Sequence, residues 1–257
     1  MNPLSSQFVE SCPVEHGFRM RGAEMTRIEV FVDAAFAFAV TMLVISFDHI
    51  PTDYPEMIEA IKTIPAFILA AAQLIWIWHE HAKWSKLYGL EDVPTVVLSA
   101  ALLIVILVYI YPLRVMLAGM MGWLSNGFFP YTFTMRSYGE MTGMFVFMGI
   151  GFMALSLIFY GMYRYARTRG DPLLLSDFER HETRTVELIW LGIAATGMLA
   201  VLLALVLPDG YIQFSGFAFM LIGAWIPLVR SRMAREMERR DIRPHEARER
   251  RGQGELG

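Results

Sequence analysis

Apolar residues in this chain gather into six long runs separated by short polar segments. Val30 to Phe47 holds a single charge, Asp33; Ile64 to Trp78, Val93 to Tyr111, Met141 to Tyr163, Leu188 to Leu207 and Tyr211 to Val229 hold none. A helix needs about 20 mostly apolar residues to cross the hydrocarbon of a bilayer. The pattern therefore predicts an all-α membrane protein with six transmembrane helices. Polar signals refine the boundaries. Asp53 with Glu56, and Ser176 with Glu179, have capping-box spacing and place helix starts near Tyr54 and well before Leu188. Pro112 to Glu140 reads as a loop whose Trp123, Phe128, Phe129, Tyr131 and Phe133 anchor at the membrane interface. The sixth helix is expected to run on past Arg230 as a solvated helix, with Glu236 and Arg240 paired at i, i+4. The resulting division is an N-terminal arm (1–26), a six-span domain (27–230) and a charged tail (231–257).

Composition supports this reading. Hydrophobic residues make up 55% and charged residues 18%, against about 45–50% and about 25% in soluble domains. That balance excludes a soluble globule, and a disordered chain needs the opposite one. The net charge of −3 gives no reason to expect a nucleic-acid partner, and the lone Cys12 excludes an internal disulfide. The near-neutral total hides an asymmetry, because nineteen of the 22 Lys and Arg residues fall on the side of the chain termini. Only Lys62, Arg114 and Arg136 lie opposite. Positive residues stay inside, so both termini are expected in the cytoplasm, with the cell membrane as the location. Residues 1–27 lack the short apolar region of a cleaved signal, so the first span is expected to be retained. Nine arginines between Arg230 and Arg251 could touch anionic lipid headgroups.

The scarcity of charge makes Asp33 informative, since a carboxylate within a spanning helix is costly and points by default to function. Pairing with Arg27 or with a neighbouring helix is the structural alternative. Along the same helix Ala34, Ala37, Phe38, Thr41, Met42 and Ile45 recur at spacings of three and four and share a face. Small residues let helices approach closely in lipid, and Thr41 is the one hydroxyl on that face. His79 and His81 are roughly 200° apart on a helix and cannot share a metal site. No metal or other cofactor is expected. Potassium-filter, voltage-sensor, Walker A, H-E-x-x-H and G-x-S-x-G patterns are all lacking, so an enzyme is not expected.

The segment from Arg27 through Phe31 and Asp33 to Thr41 resembles the first-helix motif of the transmembrane-protein-175 family, the lysosomal potassium channels and their prokaryotic relatives. That motif reads R-x-x-x-F-S-D, with a threonine eight residues after the aspartate. Trp76 and His79 are similar to the family's W-x-x-H pattern. The resemblance implies a potassium-selective channel without a carbonyl filter, built as a homotetramer around the first helices. It places a hydrophobic pore constriction at Phe38, Met42 and Ile45, with Thr41 as a polar lining residue. It makes Arg27, Phe31, Asp33, Trp76 and His79 a network that holds the cytoplasmic end of the first helix. Two departures stand out: Val32 replaces the motif serine, and Phe38 stands where isoleucine or leucine is usual. Four phenylalanines on one axis could gate the path by dewetting. They could also plug it, leaving a non-conducting membrane interaction protein of the same fold. A secondary transporter ranks last, because the glycines of the fourth and sixth spans form no clear repeat.

Overall fold

The computed structural model describes residues 4–22, 24–45, 51–131 and 133–244, without the side chains of residues 44 and 45. The N-terminal segment forms α1 (Ser6–Ser11) and a two-stranded antiparallel hairpin, β1 (Val14–Glu15) and β2 (Phe18–Arg19). Long helices follow: α2 (Arg27–Ile45), a short α3 (Tyr54–Lys62), α4 (Ile64–Tyr88), α5 (Val93–Leu124), α6 (Tyr138–Thr168) and α7 (Asp177–Val206). A 3-10 segment, Ile212–Met220, leads into α8 (Leu221–Arg239).

Among the described residues, five helical segments are long and apolar enough to cross a membrane: 54–88, 93–124, 138–168, 177–206 and 212–239. Helix α2 has 19 residues, and three of its first seven (Arg27, Glu29 and Asp33) are charged. Position 46 lies outside the described residues, and so do Phe47 and the last residues of the first apolar run.

Local chemistry explains most boundaries. Asp53 accepts the Glu56 N–H at 2.8 Å and starts α3, although Glu56 turns its own carboxylate to the Thr52 N–H, also at 2.8 Å. Ser176 and Glu179 form a full reciprocal capping box, so α7 begins eleven residues before the apolar run. The region from Pro112 is where expectation and structure part. Helix α5 continues through Pro112 to Leu124, carrying Arg114 and Trp123 on helix rather than loop. A proline costs a helix one hydrogen bond, and spanning helices tolerate this when neighbours compensate. Helix α8 likewise absorbs Pro227 and runs unbroken across residue 230, with Glu236 and Arg240 paired at 2.6 Å.

The helices alternate in direction. Helices α2, α5 and α7 begin at the end where α4, α6 and α8 finish. Helices α6 and α7 make the most extensive pairing. A Cβ added at Gly149 would stand 3.0 Å from the Gly197 carbonyl oxygen, and one at Gly197 would stand 3.0 Å from that of Gly149. The two backbones approach this closely because neither position carries a side chain. Phe159 of α6 stacks on Trp190 of α7 with centroids 4.3 Å apart.

The N-terminal segment is docked against the bundle. The Arg21 and Gly22 N–H groups donate to the Leu87 and Lys86 carbonyls at the end of α4. Arg21 is buried and makes a two-pronged pair with Glu179, at 2.9 and 2.8 Å, while its Nε donates to the Leu173 carbonyl at 2.8 Å. Glu179 also accepts the Arg19 and Ser176 N–H groups, each at 2.8 Å. Breaking a buried pair from one side strands a charge and costs about 3–5 kcal/mol. Glu179→Ala is therefore expected to lower the thermal unfolding midpoint of the detergent-purified protein by many degrees. Arg21→Lys, which cannot form two parallel bonds, is expected to fall most of the way. Midpoints unchanged by both would contradict the docking.

Candidate functional site

Helix α2 packs against α4 and α5 with one arc of its surface. Val32, Phe36, Ala39 and Leu43 are all at most 3% exposed and belong to the main core. At 100° per residue these four fall within about 60° of arc. The opposite arc is bare. Val30, Phe31, Ala34, Ala37, Phe38 and Thr41 are all exposed, Phe38 to 56%. The face picked out by the small residues and the lone hydroxyl is thus the uncovered side of the helix. Met42 sits at its margin, half-buried against the core, and the side chain of Ile45 lies outside the described residues. The Thr41 hydroxyl donates to the Phe38 carbonyl at 2.7 Å. Its proton is thereby used inside the helix, and its oxygen lone pairs remain available on the bare side.

Asp33 projects from the flank of α2, between the packed and the bare arcs. Its Oδ1 accepts the indole N–H of Trp78 at 2.7 Å, joining α2 to α4. Within one chain, this bond brings Asp33 to Trp78 and not to the other residues of the expected network. Arg27 and Phe31 lie on the bare arc with Phe38, about 120–160° from Asp33 around the helix. Trp76 points to α7, with its ring 5.5 Å from Trp190. His79 is exposed and has no hydrogen bond or ion pair among the described residues, though it lines the same cavity wall as Asp33 and Trp78. The residue that sequence reasoning passed over is Trp78, two positions after the tryptophan of the W-x-x-H pattern. The signal available was its buried-amphipathic character: a tryptophan in a spanning helix needs an acceptor for its N–H.

Other polar groups fix the ends of the site. Glu29 and Thr26 cap α2 reciprocally, with the Thr26 N–H to Glu29 at 2.7 Å and the Glu29 N–H to the Thr26 hydroxyl at 3.2 Å. At the other end Arg114 donates to the Leu43 carbonyl at 3.1 Å, satisfying one of the last helical acceptors. His81 is buried against Ser99 of α5, with Nε2 and Oγ 3.0 Å apart, and faces away from His79. Among the described residues no group of three His, Cys, Asp or Glu side chains could hold a metal ion.

Comparison with known proteins gives these features a context. Residues 27–112, from the start of α2 into α5, match the family model of the endosomal/lysosomal potassium channel TMEM175. A potassium channel of Marivirga tractuosa is 32% identical over 221 residues, covering 82% of this chain and 87% of that protein. The chain belongs to the TMEM175 family. A crystal structure of the potassium channel MtTMEM175, a threonine-to-alanine variant bound to a nanobody–MBP fusion, superposes with a TM-score of 0.74 at 29% identity. That superposition covers 87% of this chain and 99% of the other. The TMEM175 family is one of ion channels rather than enzymes.

The Asp33–Trp78 bond predicts a local effect. A hydrogen bond to a charged group contributes about 1.5–3 kcal/mol. Trp78→Phe keeps an aromatic ring but removes the donor. It is expected to speed amide hydrogen exchange over residues 27–36 by tenfold or more, on the order of that energy, while leaving α7 unchanged. Equal exchange in both proteins would show that the bond does not hold α2.

Proposed function

We propose that this protein is a potassium-selective channel that works as a homotetramer, with the bare arc of α2 from each copy lining a central pore. One observation carries the proposal: the uncovered face of α2 is the face that bears Phe38, Thr41, Ala34 and Ala37, while the rest of the helix is packed. Small residues on that face allow four helices to approach an axis. Phe38, with Met42 and Ile45 one to two turns on, forms a hydrophobic constriction that opens and closes by wetting. No carbonyl filter is needed. The Thr41 oxygen, with its O–H directed to the Phe38 carbonyl, presents its acceptor lone pairs, the polarity that a cation requires.

Helix α2 is the first of six spans in this reading. Both described termini then lie in the cytoplasm, because the basic residues of the chain collect at their end of the bundle. The cell membrane is the location. Arg27 and Phe31 stand on the bare arc, so the motif network operates between copies: they meet the neighbouring subunit, while Asp33 is held inside its own. Trp76 and His79 steady the α4 wall against which α2 rests. The basic tail after α8 touches anionic lipid.

Potassium-loaded proteoliposomes test the reading. Wild-type protein is expected to pass potassium in preference to sodium. Phe38→Ala is expected to raise the flux roughly tenfold, equivalent to lowering the barrier by about 1.4 kcal/mol. Thr41→Val, which keeps the shape and removes the acceptor, is expected to lower the preference for potassium. No flux from wild type, with a leak appearing in Phe38→Ala, favours a plugged, non-conducting protein of the same fold. No flux from either removes the channel reading.

A further inference from the structure

A cavity of about 860 Å³ opens at the end of the bundle where the chain begins. It is within the size range of small-molecule sites, about 300–1,000 Å³. Its walls come from the N-terminal hairpin, the start of α2, the end of α4, α6, the start of α7 and α8. Met20, Met25, Leu87 and Phe178 supply apolar surface.

The charges on the wall are unequally satisfied. Glu29 takes the Thr26 N–H at 2.7 Å, Asp33 takes the Trp78 N–H at 2.7 Å, and Glu182 has Arg230 at 3.6 Å. Of the four lining carboxylates, that of Glu15 on the hairpin rim has no hydrogen bond or ion pair among the described residues. Lys83 and Lys86 line the same cavity, one turn apart on α4, and neither ammonium group has a hydrogen bond or ion pair among the described residues. Tyr163 lines it as well and is 1% exposed, and its hydroxyl has no hydrogen-bond partner among the described residues. A buried hydroxyl left unpaired costs on the order of 1–3 kcal/mol, so this donor wants an acceptor.

Two unpaired ammonium groups, a stranded hydroxyl and an apolar wall ask for one kind of ligand. We propose that the cavity binds a phosphate-bearing anion, with the phosphate between Lys83 and Lys86, and with the Tyr163 hydroxyl, closed to solvent in this structure, opened to it on binding. Ammonium–phosphate contacts are charge-assisted. The apolar wall fits the glycerol and first methylenes of an anionic lipid whose headgroup carries that phosphate, and free phosphate presents the same chemistry to the lysines. An occupant would bridge the start of α2 to α4 and α8. This inference is independent of whether the protein conducts.

Thermal unfolding of the full chain in neutral detergent tests it, with inorganic phosphate, phosphatidylglycerol and zwitterionic phosphatidylcholine as probes. Phosphatidylglycerol, phosphate or both are expected to raise the midpoint where phosphatidylcholine and matched chloride do not. Protection by phosphate alone identifies a soluble anion, and protection by phosphatidylglycerol only identifies a headgroup. The apparent affinity is expected to fall about tenfold in Lys83→Gln/Lys86→Gln, whose side chains are exposed and leave the fold intact. It is expected to fall severalfold in Tyr163→Phe, which keeps the ring packing. No anion-specific protection overturns the proposal, as does protection that either variant leaves intact.

Discussion

Helix α2 has to meet two surroundings at once, and the rest of the bundle is arranged around that constraint. Its inner arc of Val32, Phe36, Ala39 and Leu43 is closed against α4 and α5. Its outer arc carries Phe31, Phe38 and Thr41, all exposed among the described residues. Were α2 free to rotate by one residue, a 100° turn would exchange core side chains for exposed ones. Two polar attachments to neighbouring helices oppose this. The Asp33–Trp78 bond fixes the side that faces α4 and Arg114 of α5 holds the Leu43 carbonyl at the far end, while the Thr26–Glu29 box closes the first turn of α2 itself. Within a membrane such bonds are hard to exchange for water, so a modest number of them can set the rotation of a whole helix.

The N-terminal segment extends this control. Five residues separate the buried Arg21 from the start of α2 at Arg27, and Arg21 is locked to Glu179 and to the Leu173 carbonyl in the α6–α7 connection. A buried ion pair adds little net stability compared with an apolar core. Its value here is in register. It fixes where the chain enters α2 relative to α7, because a guanidinium with two parallel bonds tolerates little displacement. Glu179 does double duty, capping α7 and holding the segment, which ties the start of one long helix to the entrance of another.

Much of the architecture is legible in the residues. Apolar runs locate the long helices, because bilayer thickness sets a minimum length. The Ser176–Glu179 box moves the start of α7 to its observed place. Other features were not legible. Pro112 reads as a stop in isolation, yet α5 passes through it, since only tertiary neighbours decide whether a lost backbone bond is compensated. Arg19 and Arg21 read as orientation charges, yet Arg21 is buried, because its partner Glu179 lies far along the chain and no local pattern announces the pair. The face of Ala34, Ala37, Phe38 and Thr41 was legible from spacing alone. That it is the bare face was not, since periodicity shows which residues share a side and not what covers it. The partner of Asp33 was legible only as a need for one.

Whether the bare arcs of separate copies meet is the point on which the functional reading turns. Oxidative cross-linking in native membranes addresses it directly, with Cys12 replaced by serine and a cysteine placed at position 38, compared with one at the outward-facing Val206 on α7. Arcs that meet around a four-fold axis give covalently linked pairs of chains from position 38, the limit for one thiol per chain, within a particle whose native mass is that of four chains. A chain that stays single at position 38, or links equally well through position 206, would show that α2 faces lipid and that no pore lies along it.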